Sequence, residues 1–142
     1  MPLRIGLFAC ELLYPDTPPH LGMCLFVNDL RESGAEVHPF LVNIAEAGRI
    51  PFIAREHKLD LVAMESIFPL QAVRRIKEGL GKTPLVLGGV NALTLFLHSP
   101  AEFAIVGPGR RAMAALVKAL TGEGSLGQVP GLFHRVTGGK LQ

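Results

Sequence analysis

The sequence predicts a doubly wound α/β protein, because short apolar runs alternate with amphipathic helical patterns along the chain. Five such strand–helix units follow one another. Right-handed crossovers leave few topologies for them, and the flavodoxin-like (Rossmann-like) parallel order 2-1-3-4-5 suits five strands best. A further run predicts a C-terminal strand or partial hairpin. We therefore expect one domain over residues 1–125, and a strand or linker over residues 126–142 that leads to a domain outside this chain.

The first two units occupy the first third of the chain. Residues 4–10 form an apolar run of strand length, and residues 11–20 form a loop with three prolines. Gly34 follows the next helix in the position of a left-handed cap. Residues 36–42 predict a second strand, which Pro39 places at an edge of the sheet. The helix between these strands is predicted from an apolar face of i, i+3, i+4, i+7 spacing: Met23, Phe26, Val27 and Leu30.

The middle of the chain continues the alternation. A short helix around residues 50–57 tolerates Pro51 in its first turn, and residues 59–64 predict the third strand. Ser66 follows the end of that strand, and Pro69 opens a helix with an apolar inner face. Four charged residues of this helix are expected on its solvated face: Arg74, Arg75, Lys77 and Glu78.

The fourth strand lies at the centre of the functional hypothesis. Residues 85–87 are apolar without polar alternation, so both faces of this strand should be covered. The strand stops at Gly88-Gly89 and is followed by a short helix from about residue 91 to residue 98. Residues 102–106 predict the fifth strand. The last helix is marked by Met113, Leu116, Val117 and Leu120.

Composition excludes several classes of protein. The chain has 142 residues, 49% hydrophobic and 18% charged, which argues against disorder. The formal net charge is +2 and there is no long basic run, so the sequence does not indicate a nucleic-acid-binding surface. No stretch approaches the roughly 20 apolar residues of a membrane span, and no secretory signal is visible. We expect no nucleic-acid or membrane partner and a cytoplasmic location, with Cys10 and Cys24 as buried small side chains.

The loops after the strands should build the ligand face of such a sheet. Three of them are small or glycine-rich, so this edge should be open enough for a flat, bulky ligand. Gly88-Gly89 is then either a tight strand-to-helix turn or the floor of a groove. Ser66 is either a ligand contact or the N-terminal cap of the helix that Pro69 opens.

Other ligand and catalytic motifs are missing. No glycine follows the first strand as a dinucleotide site would require, and neither a phosphate loop nor a G-x-S-x-G elbow is present. A receiver-like signalling domain is disfavoured because Glu11 and Glu65 substitute poorly for its acidic pocket. The residues therefore predict binding rather than a catalytic centre in this chain alone, and whether the chain belongs to an enzyme is left open.

The order of the motifs resembles the cobalamin-binding domain found N-terminal to the catalytic barrel in B12-dependent radical SAM enzymes. This resemblance implies a module that binds cobalamin (B12) and is part of, or partner to, such an enzyme, in cis or in trans. The expected chemistry is methyl transfer or related radical chemistry. An iron–sulfur cluster and S-adenosylmethionine are implied only if a downstream radical SAM domain exists, because C-x-x-x-C-x-x-C is absent here. The matching stretches are residues 18–22, 30–37, 59–63, 83–89, 103–107 and 129–135.

The resemblance also implies site residues. Ser66 would contact the nucleotide tail of cobalamin at the end of the third strand. Gly88 and Gly89, with Val90 beside them, would let that tail run close against the backbone. Gly107 and Gly109 would border the same groove.

Two motifs depart from the family pattern. The family's D-x-H-x-x-G is not met around His20, which is a candidate cobalt ligand and otherwise a loop or capping histidine. Gly107-Pro108-Gly109-Arg110 replaces G-E-G-E after the fifth strand. The alternative is therefore a degenerate relative that acts as an interaction or docking domain. Arg110 and Arg111 at a helix start predict an anionic partner, because the helix dipole disfavours positive charge there.

Overall fold

The computed structural model describes residues 2–10 and 21–135, with side chains given for residues 2–10 and 26–135. These residues form a six-stranded sheet of order β2-β1-β3-β4-β5-β6, whose first five strands pair in parallel and confirm the predicted order 2-1-3-4-5. The strands are β1 (Arg4–Cys10), β2 (Glu36–Val42), β3 (Leu61–Glu65), β4 (Leu85–Gly88), β5 (Phe103–Ile105) and β6 (Leu132–His134). The helices are α1 (Leu21–Glu32), α2 (Ile50–Glu56), α3 (Leu70–Leu80), α4 (Ala92–Leu97) and α5 (Gly109–Leu120).

Helices cover both faces of the sheet, as the apolar β4 sequence predicts. Leu85 and Leu87 point into a core shared with α2, α3 and α4, whereas Val86 points into a core shared with α1 and α5. This alternation follows from the two-residue period of a strand. Of the four residues that mark α5 in the sequence, Met113, Leu116 and Val117 are buried as the spacing predicts, whereas Leu120 in the last turn is exposed.

The loop after β2 contains a 3₁₀ helix, Ile44–Arg49, that the sequence pattern did not predict. Asn43 caps it, because its side-chain oxygen accepts the backbone N–H of Glu46 at 2.9 Å. This is an ordinary use of Asn at a helix start. Among the helices of the described residues, none is long and apolar enough to span a membrane.

The predicted C-terminal strand is confirmed, and its partner is β5. β6 runs antiparallel to β5 with Ala104 opposite Phe133. The turn into it depends on Gly131, which has φ of +69° and whose Cβ, if present, would overlap the carbonyl oxygen of Val106. The backbone N–H of Val106 donates to the Gly131 carbonyl at 2.9 Å, which holds this turn against the end of β5.

Arg135, immediately after β6, fastens the strand to α4. Its guanidinium lies 4.1 Å from the centroid of the Phe96 ring. It donates to the carbonyl oxygens of Phe96 at 2.6 Å and Ser99 at 2.8 Å, and also to that of Ala101. Arg135 therefore ties β6 to one carbonyl in the last turn of α4 and to two carbonyls of the segment between α4 and β5.

Lys77 corrects one prediction, because it is buried rather than on the solvated face of α3. Only 7% of it is exposed. Its Nζ donates to the carbonyls of Gly81 at 2.7 Å and Thr83 at 2.9 Å. The same Nζ lies 2.6 Å from Glu102 Oε1, and Glu102 Oε2 accepts the N–H of Leu85 at 2.8 Å. This network, which we call the Lys77–Glu102 staple, holds the amino end of β4.

Candidate functional site

A cleft of about 590 Å³ opens at the carboxyl edge of the sheet, between the ends of β1, β3, β4 and β5. This is the edge at which α/β sheets bind ligands. Apolar side chains from both cores form most of its walls. All six residues that the sequence analysis proposed as contacts line it: Ser66, Gly88, Gly89, Val90, Gly107 and Gly109.

Ser66 joins the loop after β3 to the loop after β4. It is 8% exposed, and its backbone N–H donates to the Gly88 carbonyl at 2.8 Å. Its Oγ accepts the backbone N–H of Asn91 at 3.0 Å. The interpretation of Ser66 as the cap of α3 is wrong, because Pro69 holds that position and no side chain caps the helix. Since the Oγ acts as the acceptor, its hydroxyl hydrogen can be donated to a group in the cleft.

The two glycines after β4 have different roles. Gly89 has φ of +110°, and a Cβ there would lie 2.7 Å from Ser66 Oγ, so the turn itself requires glycine. Gly88 has no such constraint, and no atom of the described residues lies within 4 Å of the position that its Cβ would take. Gly89 therefore fits the prediction of a tight turn, whereas Gly88 fits the prediction of a groove floor.

The loop after β5 forms the opposite wall of the cleft. Among the described residues, no atom lies within 4 Å of the position that a Cβ would take at Gly107. Gly109, the first residue of α5, lies against α1, because a Cβ there would stand 3.2 Å from the Phe26 ring. The small residues of this loop thus let α1 and α5 approach each other beside the cleft.

Arg110 finds its anionic partner within the chain. Its Nε and Nη2 donate to the two carboxylate oxygens of Asp29 at 2.6 and 3.1 Å. These bonds lower the pKa of Asp29 and raise that of Arg110. The charge of Arg110 is therefore paired with Asp29 of α1, and this residue does not by itself indicate an external anion.

Several lining residues were not singled out by the sequence analysis. Their side chains belong to regular apolar patterns, which marked them only as core, and only the pairing of distant strands shows that they face the cleft. Ile67 comes instead from the loop after β3, and it is 44% exposed at the cleft. The core-like members are Phe8, Phe26, Met64 and Met113.

Glu65 is the other residue whose role was not predicted. It is exposed at the end of β3, beside the cleft. Its Oε2 accepts the backbone N–H of Cys10, the last residue of β1, at 3.2 Å. The sequence placed Glu65 at the ligand face, as a solvated rather than a catalytic side chain and a poor substitute for a receiver's acidic residue. It did not predict this contact, because the two residues lie 55 positions apart.

His20, the candidate cobalt ligand, lies outside the described residues. Within residues 2–10 and 21–135, no group of three or more His, Cys, Asp or Glu side chains could hold a metal ion. The assignment of His20 therefore stays a prediction.

Comparison with known proteins gives relatives in structure alone. No family model and no curated protein matches the sequence. The radical S-adenosylmethionine methyltransferase TsrM from Kitasatospora setae, with cobalamin and a 4Fe–4S cluster bound, matches with a TM-score of 0.75 and 19% identity over 98% of this chain. The cobalamin-dependent S-adenosylmethionine radical enzyme OxsB, with aqua-cobalamin bound, matches with a TM-score of 0.78 and 15% identity over 99% of this chain. The fold is shared with part of both enzymes.

These matches cover only a part of each enzyme. This chain spans 28% of the TsrM chain and 22% of the OxsB chain, so the larger part of each enzyme has no counterpart here. A 3-dehydroquinate dehydratase-like protein from Bifidobacterium longum also matches, with a TM-score of 0.50 and 16% identity over 82% of this chain and 94% of its own. At these identities the similarity establishes the flavodoxin-like fold, and function has to be argued from the cleft.

Proposed function

We propose that this chain is a cobalamin-binding module of, or partner to, a B12-dependent radical SAM enzyme. The observation that carries the proposal is the open cleft above Gly88, on a fold shared with two enzymes that were solved with cobalamin bound. A flat ligand with a long tail needs positions without side chains where its tail crosses the strand ends, because side chains there would block it. Gly88 and Gly107 supply open space at two neighbouring strand ends.

The residues present suit this cofactor. Gly88, Gly89 and Gly107 would hold it by close backbone approach, Ser66 would donate its hydroxyl hydrogen, and Val90 would cover it with an apolar surface. Val90 is fully exposed at the cleft mouth. When bound, cobalamin supplies a cobalt centre for methyl transfer or related radical chemistry. The part of the chain itself is to bind this group and exclude water from one side of it.

Other parts of the proposal concern what lies around this module. The iron–sulfur cluster and S-adenosylmethionine would belong to a radical SAM domain in cis or in trans, with residues 126–142 as the connection to it. His20 would be the cobalt ligand contributed by this chain. A reducing cytoplasm suits the use of two cysteines without a disulfide framework.

The alternative of a degenerate docking domain predicts a different groove. A non-binding relative should fill the space above Gly88 with bulky side chains. Among the side chains that the structure describes, none approaches the Gly88 Cβ position within 4 Å. This open space favours the binding module.

The test is retention of hydroxocobalamin by the purified protein after desalting, measured from the visible corrin bands. The wild type should retain it, and Gly88→Phe should lower the affinity at least tenfold, because the ring would fill the cleft without straining the backbone. Gly48→Phe is the matched control, since Gly48 also has open space around it and no left-handed φ, but lies away from the cleft. A wild-type protein without corrin bands, or a Gly88→Phe variant that binds like the wild type, would contradict the proposal.

A further inference from the structure

We propose that Asn91 selects the ligand of the cleft by pairing its side-chain amide with an amide group of the ligand. Asn91 lies in the loop between β4 and α4 and lines the cleft next to Val90. The inference deepens the proposed function and rests on it, because it names the residue that recognises the carboxamide groups around the corrin ring of cobalamin. Ligands whose edges lack N–H donors should bind less well.

The side chain of Asn91 is not used to hold the fold. Asn91 immediately precedes α4, a position at which an asparagine side chain usually accepts a backbone N–H of the helix. Its φ of −101° and ψ of 13° differ from the extended conformation of such a cap, and its side chain makes no capping bond. The residue is exposed, and its amide has no hydrogen-bond partner among the described residues. The amide is therefore available to a ligand.

Asn43 shows the ordinary use of an asparagine at a helix start. It precedes the 3₁₀ helix after β2 in the extended conformation, and its side-chain oxygen accepts the Glu46 N–H at 2.9 Å. It lies outside the cleft lining. The two asparagines occupy equivalent places before their helices, but Asn43 bonds to its helix, whereas Asn91 presents its amide at the cleft.

The backbone of Asn91 is held on both sides of the side chain. Its N–H donates to Ser66 Oγ at 3.0 Å, and its carbonyl oxygen accepts the N–H of Leu95 at 3.0 Å. A ligand that binds the amide therefore has to fix the rotamer of one side chain and does not have to order the loop. This preorganisation lowers the entropic cost of binding.

The chemistry of the cleft lining makes Asn91 the suitable partner for an amide. Asn presents one carbonyl acceptor and two N–H donors, so it can exchange two hydrogen bonds with a ligand carboxamide. The other polar side chains of the described lining are Glu65, which only accepts when ionised, and Ser66, whose Oγ already accepts the Asn91 N–H. Between apolar walls, a ligand amide without a partner would lose its bonds to water without replacement.

The test compares two corrinoids that both lack the nucleotide tail. Cobinamide carries the carboxamides, whereas cobyrinic acid heptamethyl ester keeps the corrin ring but has esters, which lack N–H donors. Equilibrium dialysis against the full chain measures both affinities from the visible absorption of the corrin. Asn91→Ala should weaken cobinamide binding about tenfold, as expected for one or two hydrogen bonds between neutral groups, and ester binding by less than about threefold.

Asn43→Ala is the matched control, because it truncates the asparagine that does cap its helix. It should lower the Tm and leave the affinity for cobinamide unchanged. Asn91→Ala should show the reverse, with the Tm of the wild type and a weaker affinity for cobinamide.

The outcomes separate this inference from the proposed function. An Asn91→Ala variant that binds cobinamide like the wild type, or that loses affinity for both corrinoids equally, overturns the amide pairing. A fall in Tm equal to that of Asn43→Ala also overturns it, because the residue would then act on the fold. In each of these cases, retention of hydroxocobalamin by the wild type leaves the proposed function standing. A wild type that retains no corrinoid overturns both.

Discussion

The two ends of β4 are built in opposite ways. At the amino end, the Lys77–Glu102 staple occupies the Leu85 N–H and two carbonyls of the preceding turn. At the carboxyl end, Gly88 has no side chain and faces the cleft. The closed, hydrogen-bonded end and the open end therefore belong to one strand of four residues.

This difference assigns stability and binding to separate ends of one strand. The ion pair at the amino end joins a buried Lys77 to a partly exposed Glu102. It resists unfolding, since the buried ammonium without its partner is costly in the interior. The open end contributes little packing and is available to a ligand. Substitutions at the amino end should therefore change the free energy of unfolding, whereas substitutions at the carboxyl end should change the affinity for the ligand.

The largest expected effect on stability comes from Glu102→Ala. It leaves Lys77 buried without its carboxylate and removes the acceptor of the Leu85 N–H, which should lower the free energy of unfolding by about 3 kcal/mol. Urea denaturation measures this change. Glu78→Ala is the control, because Glu78 is exposed on the same helix α3. It should lower the free energy of unfolding by only about 0.5 kcal/mol, as is usual for a surface site. Similar losses in the two variants would show that the staple does not stabilise the amino end.

An intermediate effect is expected from Gly89→Ala. The left-handed φ and the contact with Ser66 Oγ should together destabilise the protein by about 2 kcal/mol. Gly122→Ala isolates the backbone contribution, because Gly122 has φ of +88° and no described atom within 4 Å of its Cβ position. A double-mutant cycle with Ser66→Gly should show that part of the Gly89→Ala cost disappears when the Oγ is removed. Strict additivity would mean that the contact with Ser66 contributes nothing.

The smallest effect is expected from Asp29→Asn in the exposed pair with Arg110. The hydrogen bond from Arg110 lowers the pKa of Asp29 below its ordinary 3.8, so the pair stabilises the fold above that pH. As pH falls through the lowered pKa, this contribution is lost. Thermal unfolding should therefore show a small deficit for Asp29→Asn at pH 7 that fades in acid and in 1 M salt, which screens exposed pairs. A deficit that persists in acid would point to a structural role of the side chain.

Local patterns were sufficient to predict the sheet. Apolar runs fix the strands, helical spacing fixes the buried faces of α3 and α5, and the rules of crossover connections then leave the observed order. The edge position of β2 also followed from Pro39 and the partial polar alternation of this run. The staple did not follow, because Lys77 lies in a regular charged pattern on α3, and its partner Glu102 lies just before β5, 25 positions along the chain.

For the site, too, the sequence predicted the features that depend on local patterns and missed those that depend on distant partners. Strand ends and small residues pointed to Ser66 and Gly88, since both depend on local sequence. The distinction between Gly88 and Gly89 required backbone geometry, which the dipeptide alone does not give. The roles of Glu65 and Arg110 depend on partners 55 and 81 residues away, and no pattern within one element records such pairs.

The placement of β6 has a consequence for self-association. β6 pairs with the outer side of β5, so the two edges of the sheet formed by the described strands are β2 and β6. An unpaired edge invites another chain to extend the sheet. Pro39 deprives β2 of one N–H, so an incoming strand could not form a regular ladder along it. The same proline that marks the edge in the sequence thus helps to keep the folded chain from polymerising through it.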